Sequence, residues 1–430
     1  MTALVTNSAT THTSSPRVGR FETVALSCGE ALRYSPAWPI LERAYRGDAQ
    51  ASFDQRPECI DAVLSATPEW KDRPALIVHG ESAHREPIAA IFIPKNVSTK
   101  KIPAFGVNCT LRGYRLAGNR LLGRTDDPSA AEQLLAASLE RLGQSRAQVV
   151  LIEDLDIASP LSQVVESHLP RTWQQFAPRG WQTRHRLFFP ASERKTYWDK
   201  FSSKKRGTFR RTVKKIGDIR VARATEPSDV VDFLRDAHQV SLETWQSQTL
   251  GLRVKNDDRE LTVFGATAAL GAFRSYLLYR DEQPIAFLIG MQSRGIFLVS
   301  ELGYVQSFSR FSPGQVLLHK ILDDLIDDAE VAQLDFGFGD AGYKEIFGTH
   351  VSKSADIWLM PENWTTTLVR SWGRTTQSLA RTSKSFAQRI GAAAALKKTL
   401  RKIKSLRRAA SIEEKHDHGP ATGEDETSAE

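Results

Sequence analysis

Apolar and polar residues alternate along most of this chain in two recurring patterns. Residues 75–79 and 88–93 are apolar runs of strand length, and the polar residues between them predict a hairpin. Similar apolar runs predict strands at residues 148–152, 275–279, 285–291, 296–304 and 332–336. Apolar residues at helical spacing predict helices at residues 37–45, 59–64, 131–142, 230–245, 261–273 and 315–329.

The same order of elements occurs twice. The strand pair at residues 75–93 corresponds to the pair at residues 275–291. The helix–strand unit at residues 131–152 corresponds to the unit at residues 315–336. This similarity is one of pattern, without identity of residues. It predicts an internal duplication in which both halves are α+β domains with mixed sheets.

Composition places the chain among globular proteins. The 430 residues are 41% apolar and 25% charged, which favours two or three domains. The first twenty residues are rich in Thr and Ser and lack an apolar stretch, so we expect disorder and no secretory signal there. Cys28, Cys59 and Cys109 lack metal-ligand spacing and fit a reducing, cytoplasmic setting.

The positive charge of the chain is confined to one segment. Residues 363–411 contain twelve Lys or Arg and no Asp or Glu, whereas residues 412–430 contain seven acidic residues and one Lys. Removing the +12 and −6 of these segments from the total of +8 leaves only +2 for residues 1–362. The main body therefore gives no reason to expect a nucleic-acid partner.

The basic segment has apolar residues at helical spacing, and residues 397–408 read as a basic amphipathic helix. Two interpretations stay open for it. One is peripheral binding to an anionic surface at the inner face of a membrane. The other is a solvated tail held in part by the acidic residues that follow, which we expect to be disordered.

A helix start is the first candidate binding motif. Ser312-Pro313-Gly314-Gln315 opens an apolar-periodic helix, with Pro at a first-turn position. Unpaired N–H groups and the positive end of the helix dipole meet there, so a pyrophosphate can bind without side-chain help. The alternative is a plain helix start after a loop.

The second candidate binding motif is a glycine-rich turn that follows about twenty residues later. The sequence DFGFGDAGYK leads from a strand through Gly337 and Gly339, which permit a left-handed backbone or a close approach of ligand. Asp340 can orient its neighbours, Tyr343 can donate a proton, and Lys344 can bind a phosphate or an oxyanion. The alternative is a β-turn with a packed Tyr and a surface Lys.

Three further features are candidates for chemistry. The segment YWDKFSSKKRGTFRRTVKK at residues 197–215 interleaves aromatic and basic residues, and either faces phosphates or forms a solvated basic face. His238 can act as a general base or as a structural histidine of its helix. Glu301, on an apolar strand, lies either on the exposed face or in a cleft.

These motifs in this order resemble a known family. The basic helix SKKRGTFRR, the helix with His238 and Trp245, the strand–turn–strand, the SPG start and the GFGDAGYK turn together are similar to the GNAT acyltransferase superfamily. The similarity points to its CelD-like acetyltransferase branch of polysaccharide biosynthesis, which is close to the FemAB-type transferases, and covers about residues 21–360.

The resemblance implies tandem GNAT-like domains and a basic helical extension. Under this reading residues 21–180 form a degenerate first domain without a phosphate-binding turn, and residues 181–361 form the acyltransferase domain. Residues 362–410 are the extension, between the disordered ends at residues 1–20 and 411–430.

The resemblance also implies direct transfer from acyl-CoA to an amine or hydroxyl of a small metabolite or glycan precursor, without a metal. Glu301 or His238 would be the base, Tyr304 or Tyr343 would protonate the thiolate, and Lys344 would orient a substrate. The implied donor-binding residues are Ser312, Pro313, Gly314, Gln315, Gly337, Gly339, Arg210 and Arg211. The implied acceptor-binding residues are Trp245 and Asp340.

Two rival functions stay open at this point. The turn at Pro313-Gly314-Gln315 is shorter than the Gly/Arg-rich turn usual in GNAT enzymes. An aminoacyl-tRNA-dependent transfer of the FemAB type is therefore one rival. The other is a non-catalytic binding module that keeps the fold as a scaffold.

Overall fold

The computed structural model describes residues 21–27, 30–66, 73–82, 84–99, 108–123, 128–190, 194–244, 247, 254–339 and 341–389. Side chains are described up to residue 376, except that of Phe338. The strands of the first half are β1 (Glu22–Leu26), β2 (Ala75–Glu81), β3 (Pro87–Ser98), β4 (Thr110–Leu116), β5 (Leu122–Gly123), β6 (Val149–Asp156), β7 (Trp173–Phe176) and β8 (Gln182–Phe188). Those of the second half are β9 (Ile219–Ala224), β10 (Ser275–Arg280), β11 (Gln283–Ser293), β12 (Ile296–Tyr304), β13 (Gln333–Phe338) and β14 (His350–Pro361).

Helices cover both faces of these strands, and several begin with Pro, whose fixed φ suits a first helical turn. The helices are α1 (Trp38–Gly47), α2 (Pro57–Ser65), α3 (Pro128–Gln144), α4 (Pro160–Ser167), α5 (Ser203–Ile216), α6 (Pro227–Leu242), α7 (Asp258–Ala269), α8 (Pro313–Asp327), α9 (Gly342–Phe347) and α10 (Trp364–Arg389). The predicted α+β class, with a mixed sheet flanked by helices, is confirmed. One predicted helix was too long, because α7 ends at Ala269 and Phe273 instead forms a bridge to Met291.

All fourteen described strands belong to one mixed sheet. Its order is β1-β2-β3-β4-β6-β14-β8-β13-β12-β11-β10-β9, with β5 on β3 and β7 on β14. Both predicted hairpins, β2–β3 and β10–β11, are confirmed as antiparallel pairs. The last strand, β14, pairs with β6 on one side and β8 on the other, so the end of the chain joins the two halves.

The two halves repeat one arrangement. Strand β4 pairs in parallel with β6 and helix α3 connects them, just as β12 pairs in parallel with β13 and α8 connects them. In each half the connecting helix packs on the sheet and forms an apolar cluster with it. The cluster of α3 includes Leu134 and Ile152, and the cluster of α8 includes Leu317 and Phe297. The repeat agrees with the pattern found in the sequence.

Side chains also join the halves away from the sheet. Arg294 donates to the carbonyl oxygens of Tyr45 and Asp48, and Cys59 packs with Phe53 and Ala272. Burial raises the pKa of the Cys59 thiol to about 12, so the thiol stays protonated and unreactive at neutral pH.

Helix α10 follows β14 directly. Within the part of the chain that the structure describes, no helix is long and apolar enough to cross a bilayer. The predicted disordered first twenty residues, the predicted helix at residues 397–408 and the acidic tail lie outside the described residues.

Candidate functional site

Strands β12 and β13 separate at the centre of the sheet. Their parallel pairing starts at Ile296 with Gln333 and ends at Leu298 with Asp335, although β12 continues to Tyr304. Within the described residues, no strand pairs with this edge of β12 beyond Leu298. The separated strands therefore leave an opening that is bordered by backbone N–H and C=O groups.

A β-bulge sets the direction of the side chains along this edge. The register with β11 shifts between the pairs Ile289–Glu301 and Gly290–Val299, which leaves Ser300 as the extra residue. Before the bulge, Phe297 and Val299 pack on the side of α8. After the bulge, Leu302 still faces α8. Glu301 faces the opposite side of the sheet, which α6 and α7 cover.

Glu301 is half-buried on that face. Burial and the nearby carboxylate of Glu260, on α7, raise the pKa of Glu301. Burial likewise raises the pKa of Glu260. No cation or hydrogen-bond donor pairs with the Glu301 carboxylate among the described residues. A partly desolvated carboxylate without a partner suits a general base, because a raised pKa makes it a stronger proton acceptor. The sequence analysis did not identify Glu260.

The start of α8 lies at the end of this opening. Ser312 caps the helix in the left-handed conformation, with φ 52° and ψ 51°. Its carbonyl oxygen accepts from the N–H groups of Gln315 and Val316 at 3.0 and 3.1 Å. Pro313 has no N–H, and the N–H of Gly314 has no acceptor within the helix because it lies in the first turn. An added Cβ on Gly314 would lie 3.2 Å from the ring of Tyr304, so this turn packs directly on the end of β12.

Helix α5 packs beside the start of α8. The Ser202 hydroxyl caps it by accepting from the N–H of Lys205 at 3.3 Å. A shallow open cleft lies between the two helices; its lining is Phe209, Thr212, Val213, Gln315, Val316, His319 and Phe347. Arg210 and Arg211 are exposed on the neighbouring face of α5. Positive charge therefore lies close to the helix start without occupying it.

The end of β13 and the loop after it form the other side of the opening. Gly337 and Gly339 both have left-handed backbones, with φ of 67° and 102°. An added Cβ on Gly337 would lie 3.7 Å from the carbonyl oxygen of Val299 on β12. The Lys344 side chain is only 8% exposed, and its ammonium donates to the carbonyl oxygen of Gly337 at 3.4 Å. In this structure Lys344 therefore supports the loop from within.

Tyr343 and Tyr304 lie on opposite sides of the opening. Tyr343, in the first turn of α9, packs edge-on against Phe336 with a centroid distance of 6.1 Å. Burial raises the pKa of Tyr343 to about 12, so its hydroxyl keeps its proton across the physiological range. Tyr304 is partly buried and contacts Gly314.

His238 lies on α6, on the face of the sheet that carries Glu301. Its Nδ1 lies 2.6 Å from the carbonyl oxygen of Val254, so the contact favours a proton on Nδ1 and a lone pair on Nε2. This hydrogen bond holds the start of the segment before α7 against α6. It gives His238 a structural task, and it leaves one ring nitrogen able to accept a proton.

A buried ion network that the sequence analysis did not identify lies behind the loop. Arg184 of β8 is 6% exposed and pairs with Asp335 of β13 and Asp154 of β6. Arg186 pairs with Asp335 and Asp156, at 3.2 and 2.8 Å. The alternation of two Arg residues on one strand was the only signal available in the sequence. The network connects both halves of the molecule beneath the glycine turn.

Trp245 and Asp340 lie outside the described residues, so the predicted acceptor contacts remain predictions. The described residues contain no group of three His, Cys, Asp or Glu side chains that could hold a metal ion. The structure thus brings Glu301, Tyr304, the α8 start and the glycine turn together around one opening. Arg210 and Arg211 lie at its periphery.

Comparison with known proteins supports this picture of the fold. Residues 203–345 match the family model described as an acetyltransferase (GNAT) domain. The matched residues include the basic helix α5, the separated strands β12 and β13, helix α8 and the glycine-rich turn. No curated protein matches the chain significantly.

Several solved structures are similar at low identity. The C-terminal domain of a putative lysylphosphatidylglycerol synthetase from Agrobacterium fabrum is 12% identical, over 77% of this chain and 95% of that chain, with a TM-score of 0.46. FemX is 10% identical, over 67% and 88% of the two chains, with a TM-score of 0.49. A tandem GNAT protein from the clavulanic acid biosynthesis pathway is 12% identical, over 80% and 98%, with a TM-score of 0.40. The chain is a mixed α/β protein whose residues 203–345 match the GNAT acetyltransferase domain.

Proposed function

We propose that this protein transfers an acyl group from acyl-CoA to an amine or hydroxyl of a small metabolite or polysaccharide precursor. Transfer is direct, in a ternary complex. The observation that carries this proposal is the position of Glu301, a half-buried carboxylate without an ionic partner among the described residues, beside the opening between β12 and β13. Membership of the CelD-like branch is part of the same proposal.

The donor would occupy the opening. The edge of β12 just beyond Leu298, with which no described strand pairs, offers N–H and C=O groups to the amides of an extended pantetheine arm, in the manner of an added strand. The pyrophosphate would bind the start of α8 at Gly314 and Gln315, where the helix dipole favours negative charge. Arg210 and Arg211 would add long-range attraction for the remaining phosphate.

The acceptor would approach from the α6–α7 face. Glu301 takes the proton from the attacking amine or hydroxyl as the new bond to the thioester carbonyl carbon forms. The carbon–sulfur bond then breaks, and the thiolate takes the proton of Tyr343. His238 is the alternative base and Tyr304 the alternative acid. Lys344 acts indirectly, by fixing the loop at Gly337.

Binding of the donor can be measured by isothermal titration with acetyl-CoA, octanoyl-CoA and free CoA. Gly314 is a poor site for the test because a side chain there pushes on Tyr304. Gln315→Glu is better: Gln315 is exposed in the first turn, where a carboxylate stabilises the helix but repels a phosphate. The matched control is Gln163→Glu, at an exposed first-turn position of α4, which also begins with Pro.

We expect acyl-CoA to bind the native chain and the control, and to bind Gln315→Glu at least about tenfold more weakly. Equal binding by both variants would place the donor elsewhere. If none of the three ligands binds, a charged tRNA becomes the next donor to test. If that also fails, the non-catalytic module is the better description.

A further inference from the structure

An exposed apolar stripe runs along the first turns of α10. Trp364, Leu368 and Trp372 have exposed fractions of 76%, 60% and 49%. They are four residues apart, so they fall within an arc of about 80° on the helix surface. Large apolar side chains at this degree of exposure and spacing form a continuous surface patch.

The opposite face of the same helix is attached to the body. Thr366 is 2% exposed and its hydroxyl donates to the carbonyl oxygen of Pro361. The Asn363 side chain accepts from the N–H of Thr366 at 3.0 Å, which caps the helix. Val369 packs on the apolar cluster that contains Phe176, Trp358 and Met360. The stripe is therefore presented outward by a helix whose rotation about its own axis is fixed.

The positive charge around the stripe indicates which kind of partner it binds. Residues 363–411 carry twelve Lys or Arg and no acidic residue, and the next apolar residues, Leu379 and Phe386, follow Trp372 at seven-residue intervals. The main body of a second copy offers little complementary charge, since residues 1–362 carry +2 in total. The acidic residues 412–430 of a second copy are the complementary segment, and the measurement of a dimer in the test below covers that occupant. Trp at the apolar edge of a basic helix is typical of helices that lie in the interface of an anionic bilayer.

We propose that α10 docks this protein on an anionic lipid surface, with Trp364, Leu368 and Trp372 inserted at the level of the headgroups. Arg374 is exposed and lies about 80° around the helix from Trp364, where it can meet lipid phosphates. Arg370 lies about 40° from the buried Thr366, on the face attached to the body, and takes no part in the docking. The residues that insert belong to the first turns of α10, next to the folded body. The basic residues beyond it add attraction that depends on salt.

The test is co-sedimentation of the full chain with vesicles of phosphatidylcholine alone or with about 30% phosphatidylglycerol, at about 0.05 and 0.5 M salt. The double variant Trp364→Ser/Trp372→Ser removes the stripe from exposed positions. The control is Tyr34→Ser, which removes an aromatic residue with 85% exposure from another part of the surface.

We expect the native chain and the control to pellet with the anionic vesicles and to be released by salt. The double variant should partition at least about tenfold more weakly, because two interfacial aromatic anchors are lost. Equal pelleting by the double variant, equal binding to neutral vesicles, or no binding to either vesicle would overturn the proposal. So would a concentration-dependent dimer, in sedimentation velocity, that only the double variant loses.

Discussion

Arg184 and Asp335 form a buried two-pronged ion pair, in which Nε of Arg184 lies 3.0 and 2.9 Å from the two carboxylate oxygens. The same carboxylate accepts from the N–H of Gly337 at 2.9 Å, and the Arg184 guanidinium also pairs with Asp154 of β6, in the first half. The glycine turn beside the opening is therefore braced by the first half of the chain. This gives that half a role in the site although it contributes no proposed catalytic group.

Removal of one partner from this pair should be costly. Asp335→Ala leaves Arg184 buried with Asp154 as its remaining strong partner, and we expect the free energy of unfolding to fall by about 3–5 kcal/mol. Urea denaturation followed by circular dichroism measures this loss. The control is Glu282→Ala, which removes an ion pair whose carboxylate is 82% exposed and should change stability by less than about 0.5 kcal/mol. Equal losses in the two variants would show that the buried pair adds nothing.

Glu301 should control the acid side of the pH–rate profile. As a base it must be ionised, so kcat/KM should fall as pH falls through its raised pKa. Glu301→Gln should lower kcat on the order of 10²–10⁴-fold and remove this limb. A His238→Ala variant that loses the limb, while Glu301→Gln keeps it, would assign the base to His238.

A substitution of the neighbouring Glu260 provides a second, independent test of the ionisation of Glu301. Its charge contributes to the raised pKa of Glu301, so Glu260→Gln should move the acid limb to lower pH. The plateau rate at higher pH should be retained, since Glu260 only shifts the ionisation of Glu301. A loss of plateau rate without movement of the limb would show that Glu260 takes part in binding instead.

The same raised pKa has a consequence for stability. Over the interval between the unfolded and the folded pKa of Glu301, the folded state holds more of the proton than the unfolded state, so stability falls as pH rises through that interval. Glu301→Gln removes this penalty and should raise Tm at pH 7, and the gain should shrink toward pH 5. Thermal scans at both pH values measure it, and an equal gain at both would remove the ionisation of Glu301 as its cause.

Tyr343 is one of two candidates for the proton donor, beside Tyr304. With its pKa raised to about 12 it stays protonated at working pH, and Tyr343→Phe keeps the ring contact with Phe336. We expect kcat to fall by about 10²-fold with Tm nearly unchanged. Tyr304→Phe is the comparison. A larger loss for Tyr304→Phe would move the acid role to the β12 side.

The requirement for glycine at the left-handed position 337 can be tested by measuring the stability cost of backbone strain. Gly337 has φ 67° and enough room for a Cβ, so Gly337→Ala should cost about 1–2 kcal/mol from the left-handed backbone. Gly342→Ala is the control, because an added Cβ there meets nothing within 4 Å in the first turn of α9. Denaturation of both variants separates strain from packing. Equal stability would mean that the turn adapts.

Much of the architecture followed from local pattern. The strand β12 was predicted at its observed bounds, and both hairpins were predicted from apolar runs separated by polar turns. The α8 start followed from Ser312-Pro313-Gly314, because Pro fits only the first turn of a helix. Alternation and helical spacing determine such elements, since each depends on neighbours within a few residues.

Only the tertiary structure decided what those elements do. The bulge at Ser300 cannot be read from the chain, yet it turns Glu301 toward α6 and α7, because one extra residue reverses the alternation of a strand. Lys344 was predicted to bind a phosphate or an oxyanion, or to lie at the surface; the structure buries it, with its ammonium donating to the carbonyl oxygen of Gly337. Sequence thus determined the elements and the residue types at their ends. The pairing of distant strands determined which of those residues meet, because contacts such as Arg184 with Asp335 join positions far apart in the chain.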